Sequence, residues 1–420
     1  MYSFESNVAS YCRAFPDHFA RAKGSHLYDA QDRVFLDFLS GCGSLNYGHN
    51  EPQLQAALID YIREDGVAMS LDLHTEAKAR FCKAFESIIL APRGMNYRFM
   101  FTGPTGTNAV EAALKIARKA TGRRNVIAFT NAFHGCSLGA LALTGSRSHR
   151  GTGNPIGDGV TRAPYEGYPA AGMDSADYLA QLLEDPSSGI DAPAAIILEA
   201  IQGEGGLNTA SPDWLRKIQA IARRHGALLI LDDIQAGCGR SGRFFAFEGA
   251  GILPDIVVMA KSLSGFGLPM SMVLLKPEYD VLSPGEHNGT FRGNNHAFVT
   301  AEAAIRRFWQ DTAFITALEM KADWLTTALD LLGARFGLRR KGRGFMQGLA
   351  FPRAEDALEV RRLAYTAGLI VECCGPHDEV LKLLPPLTAT QSELNRAIEI
   401  ITAAIELVLT PVAAATVGAQ

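Results

Sequence analysis

Five short apolar runs in the middle of the chain constrain its fold more than any other feature. Each run has five to seven residues, the length of a strand, and is rich in apolar side chains throughout rather than at alternate positions. Strands with this pattern are buried on both faces, as they are in parallel sheets. The runs are RFMFT (98–102), VIAFT (126–130), AAIILEA (194–200), ALLILDD (227–233) and IVVMA (256–260).

Helical patterns lie between these runs. Alanine and isoleucine recur at the spacing of one helix face over TNAVEAALKIARKATG (107–122), and Gly122 is placed to end that helix. A second helix is predicted over 211–226, with Ser211 as its N-cap and Gly226 as its stop. Alternating strands and helices predict an α/β fold in which helices cover both faces of a mainly parallel sheet.

The ends of the chain have a different pattern. Residues 24–38 predict a hairpin with its turn at Asp29–Arg33, and residues 300–335 predict helix. An amphipathic pattern predicts a last helix near 391–408. The glycine- and proline-rich stretch 150–172 is interpreted as a long surface loop.

The length of 420 residues exceeds one ordinary hydrophobic core and indicates two or three domain-sized units. We predict a large cofactor-binding domain over residues 55–309. A smaller α+β domain would be built from residues 1–54 and 310–420 together, because both ends differ in pattern from the region between them.

Composition and charge argue against several classes of protein. The 40 basic and 44 acidic residues give a net charge of −4, which disfavours a nucleic-acid binder or a polybasic membrane protein. The seven cysteines form no C-x-x-C pair, which disfavours a disulfide framework and a zinc module and favours a reducing, cytoplasmic location. The N-terminus has no apolar core of signal-peptide length, and the apolar tail 407–419 is interrupted by Pro411 and too short to span a bilayer.

Ligands of open α/β sheets bind beyond the carboxyl ends of the strands, so the residues that follow each strand are the first candidates. GPTGTN (103–108) runs from a strand directly into a helix, and its free N–H groups would make an anion site; the alternative is a tight turn with ordinary capping. It is not a Walker loop, because Asn108 and its neighbours stand where that loop has lysine. NAFHG (131–135) either offers an aromatic face to a flat cofactor or packs in the core.

Two further strand ends carry charged residues. Asp232 and Asp233 end a buried strand, where carboxylates are costly unless they meet a cation or hydrogen-bond donors. They either hold a proton on a heterocyclic cation or cap the next turn; a metal site is disfavoured because no histidine lies at ligand spacing nearby. Lys261 follows the next strand, and its amine is either a nucleophile suited to a Schiff base or a solvated surface group.

The combination of these strand ends is more specific than any one of them. An anion site, a strand-end aspartate and a strand-end lysine together match the phosphate, the pyridine ring and the aldehyde of a pyridoxal cofactor. GCGRSG (237–242) fits the G-x-G-x-x-G pattern of dinucleotide sites. However, five residues separate it from its strand and no clear helix begins at it, which disfavours a dinucleotide site.

The chain resembles the class III branch, the ornithine and ω-amino acid branch, of the pyridoxal-phosphate aminotransferases of fold type I. The resemblance runs nearly end to end, and its most specific segments are LLILDDIQAGCGRSGRF (228–244) and PDIVVMAKSLSGFGLP (254–269). Within the branch, FTGPTGTNAVEAALKIARK and CGPHDEVLKLLPPL resemble most the L-2,4-diaminobutyrate:2-oxoglutarate transaminases, which open ectoine biosynthesis.

This resemblance implies roles for individual residues toward pyridoxal 5'-phosphate. Lys261 would bind the cofactor covalently as a Schiff base, and Asp232 would bind its pyridinium nitrogen. The other contacts would be phosphate donors at Gly106 and Thr107, ring stacking at Phe133, packing on the opposite ring face at Ile234, and a contact near the ring hydroxyl at Gln235. Thr290 would reach the phosphate in the neighbouring subunit, which implies a homodimer, or a higher homo-oligomer, with shared active sites.

The resemblance also implies a device for handling two unlike substrates. In the branch a cation clamps the carboxylate of the second substrate, and a glutamate pairs with that cation until the carboxylate arrives. The glutamate here is Glu204 in QGEGG, and the cation is Lys382, where many members have arginine. Lysine lacks the bidentate fork of arginine, so a lysine clamp should be weaker and less directional. The alternative is that Lys382 is merely a solvated lysine near the domain edge.

The implied reaction is a ping-pong transamination. The terminal amine of L-2,4-diaminobutyrate would pass to 2-oxoglutarate, giving L-aspartate 4-semialdehyde and L-glutamate, with Lys261 moving the proton and Asp232 keeping the ring nitrogen protonated. Alternatives are another ω-amine donor, such as ornithine, 4-aminobutyrate or 1,3-diaminopropane, and a siderophore or antibiotic pathway. A different class of function would be a non-catalytic relative that only binds ligands.

Overall fold

The structure is a computed structural model that describes residues 5–151, 159–168 and 172–410. The strands are, in chain order, β1 Phe19–Lys23, β2 His26–Asp29, β3 Val34–Asp37, β4 Arg98–Phe101, β5 Val126–Phe129, β6 Val160–Ala163, β7 Ala195–Leu198, β8 Ile201–Gln202, β9 Asn208–Thr209, β10 Leu228–Asp232, β11 Ile256–Met259, β12 Met272–Leu275, β13 Arg339–Arg343, β14 Met346–Ala350, β15 Leu369–Ile370, β16 Glu372–Cys374 and β17 Val380–Leu383. The α-helices are α1 Tyr11–Ala14, α2 Ser40–Gly43, α3 Pro52–Arg63, α4 Glu76–Ala84, α5 Gly106–Thr121, α6 Leu138–Leu143, α7 Arg147–Arg150, α8 Ser175–Glu184, α9 Pro212–Arg224, α10 Asn295–Trp309, α11 Ala313–Phe336, α12 Ala354–Thr366 and α13 Gln391–Leu409. Short 3-10 and π-helical segments are Phe85–Leu90, Ala91–Arg93, Glu248–Ala250, Lys261–Ser264, Pro277–Tyr279 and Thr290–Gly293.

A seven-stranded sheet in the order β4-β12-β11-β10-β7-β5-β6 positions the candidate site. From β11 to β6 all neighbours are parallel, and β12 is antiparallel to both β11 and β4. Every residue of β7, β10 and β11 is buried, as expected for strands covered on both faces. The predicted α/β fold with a mainly parallel sheet is therefore confirmed.

The five predicted strands are present as β4, β5, β7, β10 and β11, each within two residues of its predicted bounds. The sequence patterns do not predict β12 or β6. Because β6 is Val160–Ala163, the interpretation of 150–172 as a surface loop is wrong at that point, while 152–158 and 169–171 lie outside the described residues. Among the described strands, β6 lies at one of the two edges of the sheet, next to β5, and one of its four residues is buried, which explains its weak apolar pattern.

Local sequence sets the ends of the helices that cover the sheet. In α5 the side chains of Thr105 and Asn108 form a reciprocal capping box, and the helix ends at Gly122 with φ 67°, a left-handed conformation that favours glycine. The helix α9 follows Ser211, whose side chain accepts a hydrogen bond from its first turn. The predicted starts of both helices are confirmed; α5 ends at its predicted glycine, and α9 ends at Arg224, two residues before the predicted stop at Gly226.

Segments from the two ends of the chain share sheets. The predicted hairpin is β2–β3, and β3 pairs in parallel with β15 near the C-terminus. A sheet in the order β13-β14-β17-β16 packs against α11 and α12. The helical region predicted over 300–335 is two helices, α10 and α11, and the predicted last helix is α13. The domain boundaries at 54/55 and 309/310 stay predictions.

Among the helices of the described residues, none is long and apolar enough to cross a membrane. The apolar tail considered above lies outside the described residues from Pro411 onward.

Candidate active site

A cavity of about 390 Å³ opens at the carboxyl ends of β4, β5, β10 and β11. Lys382 lies behind one of its walls, and Thr290 is not among the residues that line it. The other eight predicted site residues line it, namely Gly106, Thr107, Phe133, Glu204, Asp232, Ile234, Gln235 and Lys261. The sheet therefore brings most of the predicted residues together at the edge where ligands of such folds bind.

The N-terminus of α5 forms one end of the cavity. The capping box supplies side-chain acceptors for the backbone N–H groups of Thr105 and Asn108. The N–H groups of Gly106 and Thr107, which lie between them in the first turn, have no partner inside the helix. A Cβ on Gly106 would lie 2.8 Å from Cδ1 of Ile234, so glycine permits the close approach of the helix to that side chain. Free N–H groups and the positive end of the helix dipole suit a phosphate.

Asp232 ends β10 at the floor of the cavity and is held through both carboxylate oxygens. Its Oδ1 accepts a hydrogen bond of 3.1 Å from the N–H of Ile234, and its Oδ2 lies 2.7 Å from Nδ1 of His134. Burial alone would lower the pKa of His134, but the hydrogen bond and charge of Asp232 raise it above its ordinary value. Asp232 thus caps the next turn and also has a histidine that stabilises its negative charge.

Lys261 follows β11 in a strained backbone conformation. Its φ is 52°, in the left-handed region that residues with a Cβ rarely adopt. Its Nζ donates a hydrogen bond of 3.0 Å to the carbonyl oxygen of Cys42. Cys42 lies in α2, where every residue from Ser40 to Gly43 has a positive φ. Two strained segments therefore bring the amine and its acceptor together in the cavity.

Phe133 and Gln235 lie on the cavity wall with their own contacts. The ring of Phe133 meets the ring of His149 edge-on, with centroids 5.0 Å apart. The Nε2 of Gln235 donates to Oε1 of Glu204 over 3.0 Å and to the carbonyl oxygen of Cys42 over 3.2 Å. Its buried Oε1 has no hydrogen-bond partner among the described residues, so it can accept a hydrogen bond from a ligand hydroxyl.

Lys382 is fully buried on β17 and is paired with carboxylates. Its Nζ lies 3.1 Å from Oε1 of Glu204 and 2.9 Å from Oε1 of Glu372, and it donates to the carbonyl oxygen of Gly203. Although burial opposes charge, these carboxylates raise the pKa of Lys382 well above its ordinary value. Burial would raise the pKa of Glu204, yet Lys382 and Lys261 lower it to about 2, so the Glu204–Lys382 contact is ionic.

Three residues that form a polar cluster beside Glu204 and Lys382 are not marked by the sequence as site residues. They are Glu372, Cys42 and Tyr11. The hydroxyl of Tyr11 lies 2.9 Å from Sγ of Cys42 and donates to Oε2 of Glu372 over 3.2 Å. Cys42, Glu204 and Glu372 place ligand atoms within 4.8 Å of one another, as a metal site does. Because Lys382 contacts both carboxylates, it already supplies the compensating positive charge. Only the register of β16 on β17, which sets Glu372 opposite Lys382, could reveal this cluster.

Thr290 begins a short 3-10 segment and is exposed. The preceding Gly289 lies near the end of the cavity formed by the N-terminus of α5, which we call the anion end. A Cβ on Gly289 would lie 3.8 Å from the backbone nitrogen of Gly103. The role of Thr290 toward a neighbouring subunit stays a prediction.

The residues present fit pyridoxal 5'-phosphate. The N-terminus of α5 suits the phosphate, and the Asp232 carboxylate suits a protonated ring nitrogen. The unpartnered Oε1 of Gln235 suits the ring hydroxyl, and the Lys261 amine suits the aldehyde.

Relatives of known sequence match the chain almost end to end. The model of the aminotransferase class-III family matches residues 11–405. The chain is 55% identical over 402 residues to a diaminobutyrate–2-oxoglutarate transaminase of Vibrio cholerae serotype O1, a match that covers 94% of this chain and 97% of that protein.

Solved structures show the same fold. The ornithine aminotransferase from Toxoplasma gondii ME49 superposes with a TM-score of 0.82 at 26% identity, covering 97% of this chain and 93% of that chain. A transaminase from the marine bacterium Virgibacillus gives a TM-score of 0.86 at 20% identity, with 97% of each chain covered. These likenesses confirm the predicted fold of the pyridoxal-phosphate aminotransferases of fold type I. With a family match that spans nearly its whole length, the chain belongs to the class III aminotransferases.

Proposed function

We propose that the protein transfers the terminal amine of L-2,4-diaminobutyrate to 2-oxoglutarate and releases L-aspartate 4-semialdehyde and L-glutamate. The single observation that carries this proposal is the near full-length identity of 55% to a diaminobutyrate–2-oxoglutarate transaminase. Further relatives at 48% to 50% identity carry the same name. The geometry is consistent with it, because one cavity holds an anion end, a strand-end aspartate and a lysine amine.

The protein uses pyridoxal 5'-phosphate, as class III aminotransferases do. The cofactor, when bound, accepts the electron pair released at the amine-bearing carbon of the substrate. In this proposal Gly106 and Thr107 bind its phosphate, Asp232 holds a proton on its ring nitrogen, and Gln235 accepts a hydrogen bond from its ring hydroxyl. Phe133 and Ile234 pack on the two faces of its ring.

Lys261 both anchors the cofactor and moves protons. Once a substrate amine displaces it, the freed Nζ can take a proton from the amine-bearing carbon of the substrate. The carbonyl oxygen of Cys42 holds that nitrogen at 3.0 Å, which orients it in the cavity. Since this carbonyl belongs to a strained left-handed turn, the position of the amine depends on local backbone conformation.

Glu204 and Lys382 let one site accept two different substrates in this proposal. A donor that reacts through its terminal amine has no carboxylate beside the reacting carbon, and Glu204 then stays paired with Lys382 over 3.1 Å. The carboxylate next to the carbonyl of 2-oxoglutarate would displace Glu204 and take its place on Lys382. The alternative in which Lys382 is a solvated surface lysine does not fit its full burial.

A donor screen tests this function. The purified holoenzyme is incubated with 2-oxoglutarate and, one at a time, L-2,4-diaminobutyrate, L-ornithine, 4-aminobutyrate and 1,3-diaminopropane, and L-glutamate is measured. We expect diaminobutyrate to give the highest kcat/KM and Lys261→Ala to give no product with any donor. A higher value for another donor would move the proposal to that substrate, and no activity with any donor would favour a protein that only binds ligands.

We further propose that the protein is a cytoplasmic homodimer that acts in ectoine biosynthesis. The free thiols of all seven cysteines fit a reducing compartment. The dimer and the pathway rest on the resemblance to the diaminobutyrate transaminases. Size-exclusion chromatography with light scattering separates a dimer from a tetramer.

A further inference from the structure

Lys382 has a second carboxylate partner that is fixed by the sheet. Glu372 on β16 stands opposite Lys382 on β17 in the antiparallel register, and their charged atoms are 2.9 Å apart. Glu372 is only 5% exposed, and Lys382 is fully buried. Glu204, in contrast, lies on the turn between β8 and β9, so it can move without changing the register of the strands.

Glu372 is also held from the N-terminal part of the chain. The hydroxyl of Tyr11 donates to its Oε2 over 3.2 Å, and the thiol of Cys42 lies 3.6 Å from the same oxygen. Burial raises the pKa of Glu372, the ammonium of Lys382 lowers it and the charge of Glu204 raises it, so the pKa lies above its ordinary value. The strand register and the contacts with Tyr11, Cys42 and Lys382 hold the side chain in place. Glu372 therefore remains beside Lys382 whichever substrate occupies the cavity.

This arrangement changes the charge that an incoming carboxylate meets. With Glu204, Glu372 and Lys382 all ionised, the cluster has one positive and two negative charges. When Glu204 moves away, Lys382 and Glu372 together are neutral. A substrate carboxylate then binds to a lysine that is already paired with Glu372. The carboxylate of Glu372 repels the substrate carboxylate in a water-poor site.

We propose that Glu372 sets substrate preference by competing with substrate carboxylates for Lys382, which weakens the binding of 2-oxoglutarate relative to terminal-amine donors. This inference rests on the proposed function, because it assigns Lys382 to the carboxylate beside the reacting carbon. It adds to that function a residue that prevents 2-oxoglutarate from binding so tightly that it blocks the amine donor. Without Glu372, the positive charge of Lys382 would favour the binding of a dicarboxylate over that of a diamino acid.

Equilibrium binding tests the proposal without turnover. Isothermal titration calorimetry measures the Kd of 2-oxoglutarate for the holoenzyme in its aldehyde form, where no transferable amine is present. Glu372→Gln keeps the shape and the carbonyl acceptor of the side chain but removes its charge, so we expect the Kd to fall on the order of tenfold. Steady-state kinetics should show a lower KM for 2-oxoglutarate and a higher ratio of its kcat/KM to that of the amine donor.

Three further variants separate charge from structure. Glu372→Asp retains the charge and should bind 2-oxoglutarate no more tightly than the wild type. Glu359→Gln, on the exposed face of α12, removes one charge from the same part of the chain and should leave the Kd unchanged. Tyr11→Phe removes one of the hydrogen-bond donors that hold Glu372 beside Lys382, and Tyr11 is 47% exposed. This variant weakens the hold on Glu372 without a change in the core, so we expect the Kd of 2-oxoglutarate to fall.

The possible results are distinguishable. A Kd that is unchanged or higher in folded Glu372→Gln, or equal decreases in the Gln and Asp variants, would overturn the proposal. If Glu372→Gln does not fold, a lower Kd in Tyr11→Phe supports it and an unchanged or higher Kd overturns it. If the wild-type enzyme has no activity with diaminobutyrate, the proposed function is contradicted. The change in the Kd of 2-oxoglutarate caused by Glu372→Gln would still be measurable.

Discussion

Two adjacent aspartates at the end of β10 show how strongly the environment of a single residue decides its chemistry. Asp232 faces the cavity and meets His134 and the N–H of Ile234. Asp233 points the other way, where Oδ1 accepts a hydrogen bond from the N–H of Ala246 and Oδ2 has no partner among the described residues. Burial raises the pKa of Asp233 to about 8.

The first prediction follows from that pKa. The ordinary value is 3.8, so between pH 4 and pH 8 the folded protein keeps a proton on Asp233 that the unfolded chain loses. The folded state binds more protons there, and its stability therefore falls as pH rises through this window. Asp233→Asn removes this titration, so we expect it to raise the free energy of unfolding by about 1–3 kcal/mol at pH 8 and by less near pH 5.

Denaturant unfolding at the two pH values measures this difference. A gain that is the same at pH 5 and pH 8 would mean that Asp233 does not titrate in the folded protein.

The second prediction concerns the Glu204–Lys382 contact. Lys382→Ala should slow the half-reaction with 2-oxoglutarate far more than the half-reaction with diaminobutyrate, because only the first presents a carboxylate beside the reacting carbon. Glu204→Ala should do the reverse, since it removes the movable carboxylate that is paired with Lys382 while the donor is bound. Stopped-flow absorbance of each half-reaction measures both effects, and equal losses in the two halves would remove this contact from substrate selection.

Sequence alone predicted some of the residues that line the cavity and not the neighbouring cluster, for a physical reason. Lys261 and Asp232 directly follow apolar strands, so their place at the sheet edge could be predicted from position along the chain. Glu372 becomes relevant only through its cross-strand register with Lys382, and Tyr11 only through a contact with a residue 361 positions away. No local pattern encodes such distances.

At the scale of elements, buried strands were the most predictable because their apolar runs are continuous. The edge strand β6 and the antiparallel strand β12 were not predicted. The left-handed run of α2 was also not predicted, although two of its four residues are glycine. Ser40 and Cys42 adopt this conformation despite their side chains, and only the surrounding structure can impose that strain.

The third prediction concerns the N-terminus of α5. Gly106→Ala places a Cβ 2.8 Å from Cδ1 of Ile234, so the side chain of Ile234, which we propose packs on the cofactor ring, must shift. At a cost of about 1–2 kcal/mol, the Kd of the apoenzyme for pyridoxal 5'-phosphate should rise about tenfold. Gly249→Ala is a matched control, because a Cβ there has no atom within 4 Å.

Fluorescence titration of the two apoenzymes with cofactor measures this effect. The same Kd in Gly106→Ala and the wild type would show that the close approach of α5 to Ile234 does not shape the cofactor site.

At the scale of the whole molecule, the site joins distant parts of the chain. Cys42 and Tyr11 come from the N-terminal part, Asp232 and Lys261 from the central sheet, and Lys382 from a sheet near the C-terminus. The sequence predicted that both ends differ from the middle. It could not predict that they meet at the cavity, since that depends on long-range packing.

The fourth prediction concerns the assembly. If Thr290 serves the site of a neighbouring subunit, a heterodimer of Lys261→Ala and Thr290→Ala subunits has one site free of both changes. Provided that each variant alone is clearly impaired, mixing them should restore activity as subunits exchange. Mixtures of each variant with itself are the control, and no recovery despite demonstrated exchange would contradict a shared site.

The central claim is that this chain moves the terminal amine, and not the α-amine, of L-2,4-diaminobutyrate. The most direct measurement incubates the holoenzyme and 2-oxoglutarate with diaminobutyrate that carries nitrogen-15 at the terminal position only, and in parallel with the α-labelled isomer. Mass spectrometry of the product should find the label in L-glutamate from the terminally labelled donor and not from the α-labelled donor. Label that reaches glutamate from the α position instead, or from neither position, would contradict the account.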